Sequence, residues 1–529
     1  VAAACAKLEP RADLLIEHLH RLQDAHRCLR KGHLAALAER LLLSLAEVYE
    51  VATFYHHFDV LDDDAPAPPP ITARVCTSIS CALAGGHELC ASLKLNTNAA
   101  QVRVVEQPCI GACHRAPAVM VGRNVVQGEQ AALRAIERND TSAAPGSAAV
   151  DYEAYQRGGG YALLKRCMNG DLTADGVMDV LDAAVLRGLG GAGFPSARKW
   201  RTVRAQAAPR HMVVNIDEGE PGTFKDGHYL AKDPHRFIEG MLIAAWAVQA
   251  ERIFIYLRDE YHPQRELLEH ELAALRANPP CALPNIELRR GAGAYICGEE
   301  SALIESLEGR RGWPRLRPPI VAQVGVFGRP TLAHNLETLH WIREILERGA
   351  AWYSAHGASG RSGLRSFSVS GRVKHPGVYI ERAGVDAQTL IDRAGGMQEG
   401  HELYGYLPGG ASGGILPASL AHEPLDFDTL APHGAFVGSM AVVVFSTQDK
   451  ARDVALNLMQ FFAHESCGQC TPCRSGTAKA VELMQAPVWD EALLKDLCQV
   501  MRDASICGLG QAAPNPVDSV LRYFAQEVR

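Results

Sequence analysis

The chain has 529 residues, 47% of them hydrophobic and 21% charged, with a formal net charge of −7. That is length for roughly three or four domains and the composition of a globular protein, which excludes a mostly disordered chain. There is no basic stripe to suggest a nucleic-acid partner, and no apolar run approaches a membrane span; the best, 241–248, reads as part of a buried helix.

Residues 11–62 read as helices, with Leu15, Leu19 and Leu22 on one face and Leu34, Leu37 and Leu41 on another. The run 65–70 is a stiff proline-rich linker. A small α/β unit follows. Strands are expected at 71–75, leading into Cys76, and at 102–106, leading into Cys109; 119–126 reads as a hairpin turning at Gly122, Arg123 and Asn124. A low-complexity stretch, 140–150, marks a boundary. From 151 to about 330 strands and helices alternate, with strands at 212–216, 253–257 and 286–290, an α/β pattern. Residues 365–447 carry short strands and glycine turns and end in a buried strand at 441–445; from 451 onward the pattern is helical. The divisions are therefore 1–62, 71–138, 151–350, 365–447 and 451–529. No secretory leader is read, and the chain opens on Val1 rather than Met, which leaves its natural N-terminus open.

Fifteen cysteines fall in two groups and seven scattered positions. Tight spacing in a large chain without a secretory signal argues for metal centres in a reducing compartment, the cytoplasm, rather than disulfides. The first group, Cys76, Cys81, Cys109 and Cys113, is C-x4-C, then 27 residues, then C-x3-C. Four thiolates on two strand-ending loops can hold a [2Fe–2S] cluster; the alternative is a structural zinc site, which prefers C-x2-C knuckles. The second group is C-x2-C-x2-C at Cys467, Cys470 and Cys473, with a distant Cys507. Three close cysteines plus a fourth is a common way to ligate [4Fe–4S], again with zinc as the alternative. Glycines at 508 and 510 would let backbone N–H groups approach the cluster. The scattered cysteines, Cys5, Cys28, Cys90, Cys167, Cys281, Cys297 and Cys498, read as small buried hydrophobes.

Two glycine loops complete the pattern. Arg187-Gly188-Leu189-Gly190-Gly191-Ala192-Gly193-Phe194-Pro195 exposes N–H groups that can cradle a phosphate, although it departs from the dinucleotide fingerprint and reads alone as a flexible loop. Lys199 then supplies a cation, and a strand ends in Asn215-Ile216-Asp217-Glu218-Gly219-Glu220. Acids at a strand's carboxyl end suit ribityl or ribose hydroxyls; the alternative is a solvated acidic turn. The second loop, 291–300, ends in Glu299 and Glu300 before a helix. Those carboxylates can face a nucleotide or cap the helix. A nucleotide site, a flavin site and clusters in one chain would convert two-electron into one-electron transfer.

At these motifs the chain resembles a known family. Residues 151–529 resemble the flavin-carrying, NADH-oxidising subunit of respiratory complex I, in the stretches 187–200, 215–226, 291–309, 335–339, 465–476 and 505–516. Residues 11–137 resemble that complex's small thioredoxin-like [2Fe–2S] subunit, most clearly at 109–117. The resemblance implies a multidomain α/β and α+β chain: an N-terminal helical bundle, a thioredoxin-like [2Fe–2S] domain, a Rossmann-like FMN and NAD domain, a ubiquitin-like β-grasp domain, and a C-terminal helical bundle carrying [4Fe–4S]. It implies FMN, held by Arg187, Gly188, Gly190, Gly191, Lys199, Asn215, Asp217, Glu218, Tyr295, Gly298, Glu299, Asn335 and Thr338. It places Phe194, Glu220 and Glu300 on the NAD side, where carboxylates would repel a 2′-phosphate and favour NAD over NADP. No side chain is expected as a catalytic acid or base, because the flavin carries the hydride chemistry.

Three positions depart from the family pattern. His334 replaces an Asn before Asn335, which puts one flavin hydrogen bond in question. Ile320 stands where the family has a Phe, and gives up any adenine stacking that ring provides. Ala197 replaces a glycine, which is tolerable at negative φ. Complex I keeps its two modules on separate chains, whereas here they are fused, as in soluble NAD-dependent formate dehydrogenases and NAD-reducing hydrogenases. The stretches 13–20, 256–261 and 368–373 look like the formate dehydrogenase β subunit. That resemblance implies a molybdenum or tungsten α subunit as partner and NAD(H) as substrate. It leaves open whether the [2Fe–2S] centre stores an electron or lies beside the main path.

Overall fold

The computed structural model describes residue 1 and residues 3–529. Near the N-terminus lie three helices, α1 (Leu15–His26), α2 (Lys31–Leu41) and α3 (Leu45–Phe54), the first two with their leucines turned inward. Leu15, Leu19, Leu22, Leu34, Leu37 and Leu41 are all buried, as the helical spacing requires. Helix α3 opens with a capping box: Ser44 accepts from the Glu47 N–H, and the Glu47 carboxylate accepts from the Ser44 N–H.

The next unit is a four-stranded sheet of β1 (Ile71–Cys76), β2 (Val102–Gln107), β3 (Ala118–Val121) and β4 (Asn124–Gln127), in the order β2-β1-β3-β4. β1 and β2 run parallel and the others antiparallel, the arrangement of a thioredoxin-like domain. The parallel pair is what matters for function. It ends Cys76 beside Gln107, so both cysteine-bearing loops leave the same edge of the sheet.

The central α/β domain is built on four parallel strands, β5 (Arg210–Ile216), β6 (Ala250–Leu257), β7 (Asn285–Arg290) and β8 (Thr331–Asn335), in the order β8-β5-β6-β7. The chain steps outward from β5 to β7 and then returns to β8 on the other side of β5. The switch point therefore lies between β5 and β8, where Asn215 and Asn335 pair in register. In open parallel sheets such a crevice, beyond the strands' carboxyl ends, is where ligands bind. Helix α4 (Pro234–Val248) includes the apolar run 241–248 and is buried nearly all round, as expected for a helix between a sheet and other helices.

A mixed five-stranded sheet follows, from β9 (Leu364–Gly371) to the fully buried β10 (Ala441–Ser446), which pair in parallel. Four longer C-terminal helices, α5 (Ala451–His464), α6 (Thr471–Met484), α7 (Glu491–Ala504) and α8 (Asn515–Tyr523), and a short one at Gly508–Ala512 close the chain. One apolar cluster runs through the N-terminal helices, the central sheet, β10 and the C-terminal helices, so these units share a core. Ion pairs reinforce the N-terminal seam, where Arg289 reaches Asp13 and Glu17 of the helical unit.

Helix α4 crosses the 336–348 helix at Gly240, where an added Cβ would lie 2.0 Å from the Leu339 carbonyl oxygen. Gly240→Ala is therefore expected to destabilise the chain by about 1–3 kcal/mol through overpacking. The readout is a lower urea midpoint; an unchanged midpoint would mean that the two helices are not in this contact.

Candidate active site

A cavity of about 380 Å³ opens at the carboxyl ends of β5 and β8. Its floor comes from Asn215, Asp217, Glu218, Gly219 and Glu220 after β5, from Asn335 at the end of β8, and from Lys225 and Asp226. One wall is Gly190, Gly191 and Ala192 of the first glycine loop; another is Tyr295, Ile296, Gly298 and Glu299 of the second. The roof comes from distant parts of the chain, Ser412, Phe436, Gly438 and Ser439 of the five-stranded sheet unit and Gly508, Leu509 and Ala512 near the C-terminus.

Asp217 leaves one carboxylate oxygen buried without a hydrogen-bond partner. Burial pushes its pKa well above the usual carboxylate range. A buried acceptor lining a cavity is completed by a ligand hydroxyl, which suits a ribityl chain. Asn215 is locked beside it, its amide donating to the Gly298 carbonyl at 2.8 Å and accepting from the Asp217 N–H at 2.9 Å. Under this floor lies an ion network. The Lys225 ammonium, 2% exposed, sits 3.0 Å from Asp226 and 3.0 Å from Glu337, and 3.2 Å from the Asn335 amide oxygen. Burial opposes its charge, but the Asp226 and Glu337 carboxylates outweigh burial and hold the ammonium above its ordinary range. Glu218 accepts from the Asp226 N–H and from the Tyr261 hydroxyl at 2.6 Å. Burial and then the neighbouring Asp226 charge push its carboxyl up to about 7.

Of the expected nucleotide contacts, Gly190, Gly191, Asn215, Asp217, Glu218, Glu220, Tyr295, Gly298, Glu299 and Asn335 line this cavity. Arg187, Gly188, Lys199, Thr338, Phe194 and Glu300 stand outside its lining. Arg187 donates to the Gly193 carbonyl and pairs with Asp428; the Gly188 N–H donates to the Phe194 carbonyl, and the Thr338 hydroxyl accepts from the Leu189 N–H. These residues hold the glycine loop in shape. Lys199 sits 3.1 Å from Glu300 and donates to the Ala333 carbonyl. The two glutamates of the second loop divide the roles left open by the sequence. Glu299 caps its helix, accepting from the Ser301 and Ala302 N–H groups, and also lines the cavity, whereas Glu300 pairs with Lys199.

The departures from the family pattern resolve by strand geometry. Alternation along β8 turns His334 away from the cavity that Asn335 lines, and the His334 ring accepts the Trp200 indole N–H at 2.7 Å. Ala197 lies inside the Ser196–Arg204 helix, buried and without positive φ. Ile320 is 41% exposed and stands outside the lining. Sequence reasoning did not assign Lys225 and Asp226, although both fall in the 215–226 stretch, nor Thr223, Ser412, Phe436 and Ser439. Ser412 fixes Glu220, donating its N–H at 2.9 Å and its hydroxyl at 2.5 Å, across a separation of 192 residues that no local pattern reveals.

The first cysteine group converges as its spacing requires. Cys109 and Cys113 place their sulfurs 3.4 Å apart, Cys76 touches both Cys109 and Cys81, and all four are buried. N–H groups of Gly111 and Ala118 donate to Cys109 and Cys81 sulfurs. The second group lines a small cavity with Cys467, Cys470, Cys473 and Cys507. Cys470 and Cys507 stand at helix N-termini, where the macrodipole favours negative charge. Burial pushes the Cys473 thiol up to about 11 and the Cys507 thiol to about 12, so ionised sulfurs here need a bound cation. Both donor sets, four sulfurs with N–H donors or helix N-termini around them, fit iron–sulfur clusters. The scattered cysteines are buried as expected, except Cys281, which is half-buried.

The central cavity shares border residues with a cavity beside each group. Ile296 and Leu509 border it and the second cysteine cavity alike. Asp217, Gly219 and Tyr295 border it and a small polar cavity whose other side includes Cys109.

Comparison with known proteins finds matches to three families along the chain. Residues 181–344 match the Nuo51 FMN-binding domain, 453–529 the NADH-ubiquinone oxidoreductase-F iron–sulfur binding region, and 1–136 the thioredoxin-like [2Fe–2S] ferredoxin family. The chain is 36% identical over 389 residues to the F 2 subunit of NADH-quinone oxidoreductase from Rhizobium meliloti, covering 70% of this chain and 92% of that protein. It is 38% identical over 378 residues to the mitochondrial NADH dehydrogenase [ubiquinone] flavoprotein 1 of Dictyostelium discoideum, covering 68% and 79%. Among solved structures it is similar to a chain of an NAD+-reducing [NiFe]-hydrogenase in the H2-reduced state, with a TM-score of 0.84 and 32% identity over 98% of this chain and 94% of that one.

Glu218 makes stability pH-dependent. Its carboxyl titrates at 4.5 ordinarily and at about 7 in the fold. Between those values the folded chain keeps a proton that the unfolded chain has lost, so stability falls as pH rises through this window. In flavin-free protein, Glu218→Gln is expected to flatten that fall by on the order of 1–3 kcal/mol, read from urea midpoints at the two ends of the window. A variant as pH-sensitive as the wild type would place the titrating group elsewhere.

Proposed function

The chain belongs to the family of flavin-carrying subunits of NADH-quinone oxidoreductases, and on that premise we propose that it is the NAD-reducing, or diaphorase, subunit of a soluble formate dehydrogenase. It is an oxidoreductase subunit with FMN, one [4Fe–4S] and one [2Fe–2S] as cofactors and NAD(H) as substrate. The observation that carries the proposal is a pair of shared walls: Ile296 and Leu509 separate the cavity from the second cysteine group, and Asp217, Gly219 and Tyr295 separate it from the small polar cavity beside Cys109. When bound, FMN exchanges a hydride with a nicotinamide and single electrons with iron–sulfur clusters, and only adjacent sites can use both abilities.

The chain's own residues would prepare that site. Asn215 and Asp217 offer amide and carboxylate groups to ribityl hydroxyls, and Gly190 and Gly191 bring backbone close to the ligand. Tyr295 is packed against Phe461 at 5.0 Å between centroids, so its ring forms a fixed wall. Glu220, immobilised by Ser412, lines the cavity, and Glu300, held by Lys199, stands just outside its lining; both are the carboxylates that the resemblance puts on the NAD side. A 2′-phosphate would be repelled there, which favours NAD over NADP. Ile296 and Leu509 keep water from the path toward the second cysteine group. Cys467, Cys470, Cys473 and Cys507 would hold [4Fe–4S], and Cys76, Cys81, Cys109 and Cys113 would hold [2Fe–2S]. None of these residues resembles a pterin metal site, so formate oxidation would belong to a partner with molybdenum or tungsten.

The fused arrangement supports a soluble assembly over complex I, and the residues of 13–20, 256–261 and 368–373 support formate as the ultimate electron source. No helix among the described residues is long and apolar enough to cross a membrane, and clustered thiolates call for a reducing compartment such as the cytoplasm. A second reading, the diaphorase of an NAD+-reducing hydrogenase, is favoured by the near full-length similarity to such a structure. The two share this half-reaction and differ in the partner.

The isolated, cofactor-replete chain is expected to transfer electrons from NADH to an artificial dye, and to reduce NAD+ with formate only after its native partner is added. Reduction of NAD+ by hydrogen but not by formate in the native complex would establish the hydrogenase reading. A flavin-loaded chain unable to oxidise NADH would overturn the nucleotide-site assignment.

A further inference from the structure

Arg258 follows β6 at its carboxyl end, and its guanidinium is 4% exposed. All three nitrogens are engaged. Nε donates to Glu260 at 3.0 Å, Nη2 to the Cys109 carbonyl at 2.6 Å, and Nη1 to the Glu218 carbonyl. Cys109 belongs to the first cysteine group, and Glu218 lines the central cavity. One buried cation is thus hydrogen-bonded to the backbone of both.

A second contact repeats the link. Gly111, at φ +75°, lies against the Tyr261 ring so closely that an added Cβ would meet a ring carbon at 2.4 Å. The Tyr261 hydroxyl in turn donates to Glu218 at 2.6 Å, and the Arg258 guanidinium lies 5.2 Å from the ring centroid. The small polar cavity between the two sites is bordered by Cys109, Arg258, Glu260, Asp217, Gly219 and Tyr295. An arginine keeps its proton in proteins, and here Glu260 stands 3.0 Å from its Nε. A permanent positive charge therefore sits between the cysteine loop and the cavity.

We propose that Arg258 is a positioning residue for electron exchange: it fixes the Cys109 loop against the flavin cavity, and its charge favours the reduced form of the [2Fe–2S] centre. This rests on the reading of the two sites as flavin and [2Fe–2S]. Reduction adds one negative charge to the cluster, and a cation in a low-dielectric setting stabilises that charge. The balance is one electron lost on the flavin side and one gained by the oxidised cluster, with NADH as the reductant. A lysine would keep the charge but cannot present a planar fork to two carbonyls at once.

The test uses the full chain, loaded with cofactors, as wild type, Arg258→Met and Arg258→Lys. Iron content and EPR spectra establish that both clusters are assembled. The reduced-to-oxidised ratio of each cluster is then measured at fixed NADH and NAD+, and the rate of [2Fe–2S] reduction is followed by rapid mixing. In Arg258→Met the [2Fe–2S] ratio is expected to fall at least tenfold while the [4Fe–4S] ratio holds. In Arg258→Lys the ratio should recover and the reduction rate should remain several-fold slow, with faster hydrogen exchange at 109–113. Wild-type ratio and rate in both variants, or equal shifts at both clusters, would overturn the inference. A wild-type chain with four cysteines but no [2Fe–2S] spectrum would instead remove the site assignment on which it stands.

Discussion

Five residues form the partitions on which this molecule depends. Asp217, Gly219 and Tyr295 stand between the central cavity and the polar pocket beside Cys109; Ile296 and Leu509 stand between the cavity and the second cysteine group. The two partitions differ in chemistry. The first contains a carboxylate and a tyrosine and backs onto a buried arginine; the second is two aliphatic side chains. A polar wall with a buried charge responds to the charge state of its neighbours, whereas an aliphatic wall excludes water and otherwise leaves neighbouring potentials alone.

The floor of the cavity holds charges in places where charge is costly. Lys225 is nearly inaccessible and is tolerated because Asp226, Glu337 and Asn335 all face it. Removing one partner from such a set leaves an uncompensated buried charge, which costs far more than the set contributes when complete. The same network couples units of the chain, because Glu337 also accepts the Ser366 N–H on β9 at 3.0 Å. The floor of the cavity is therefore anchored to the five-stranded sheet that also supplies part of its roof. Ser412 extends the tie, since its carbonyl accepts from Asn515 in α8 at 2.8 Å. Three units meet at Glu220 through two hydrogen-bonded residues.

Much of this was legible in the chain itself. Leucines at helical spacing are the buried face of α1 and α2, and the apolar run 241–248 is interior helix. The strands expected at 71–75, 102–106, 212–216, 253–257, 286–290 and 441–445 all form, extended by a residue or a few at their ends. Local alternation and spacing carry this information because a strand or helix buries its own pattern. Motif resemblance reached further and named the glycine loops and the acidic turn, but it could not say which of those residues face the cavity. Arg187 and Thr338 support the first loop from behind, and Glu299 both caps a helix and lines the site.

The sequence by itself determined the cysteine groups, the element types and the family, because each is written in short-range order: four sulfurs at fixed spacing, a period of two or of 3.6, a run of glycines before acids. Only the tertiary structure decided which elements share a wall. Ser412 reaches Glu220 from 192 residues away, and Arg258 reaches Cys109 from 149. Such contacts depend on the order of strands in a sheet and on how five units dock, and chain-distant packing leaves no periodic trace in a single sequence.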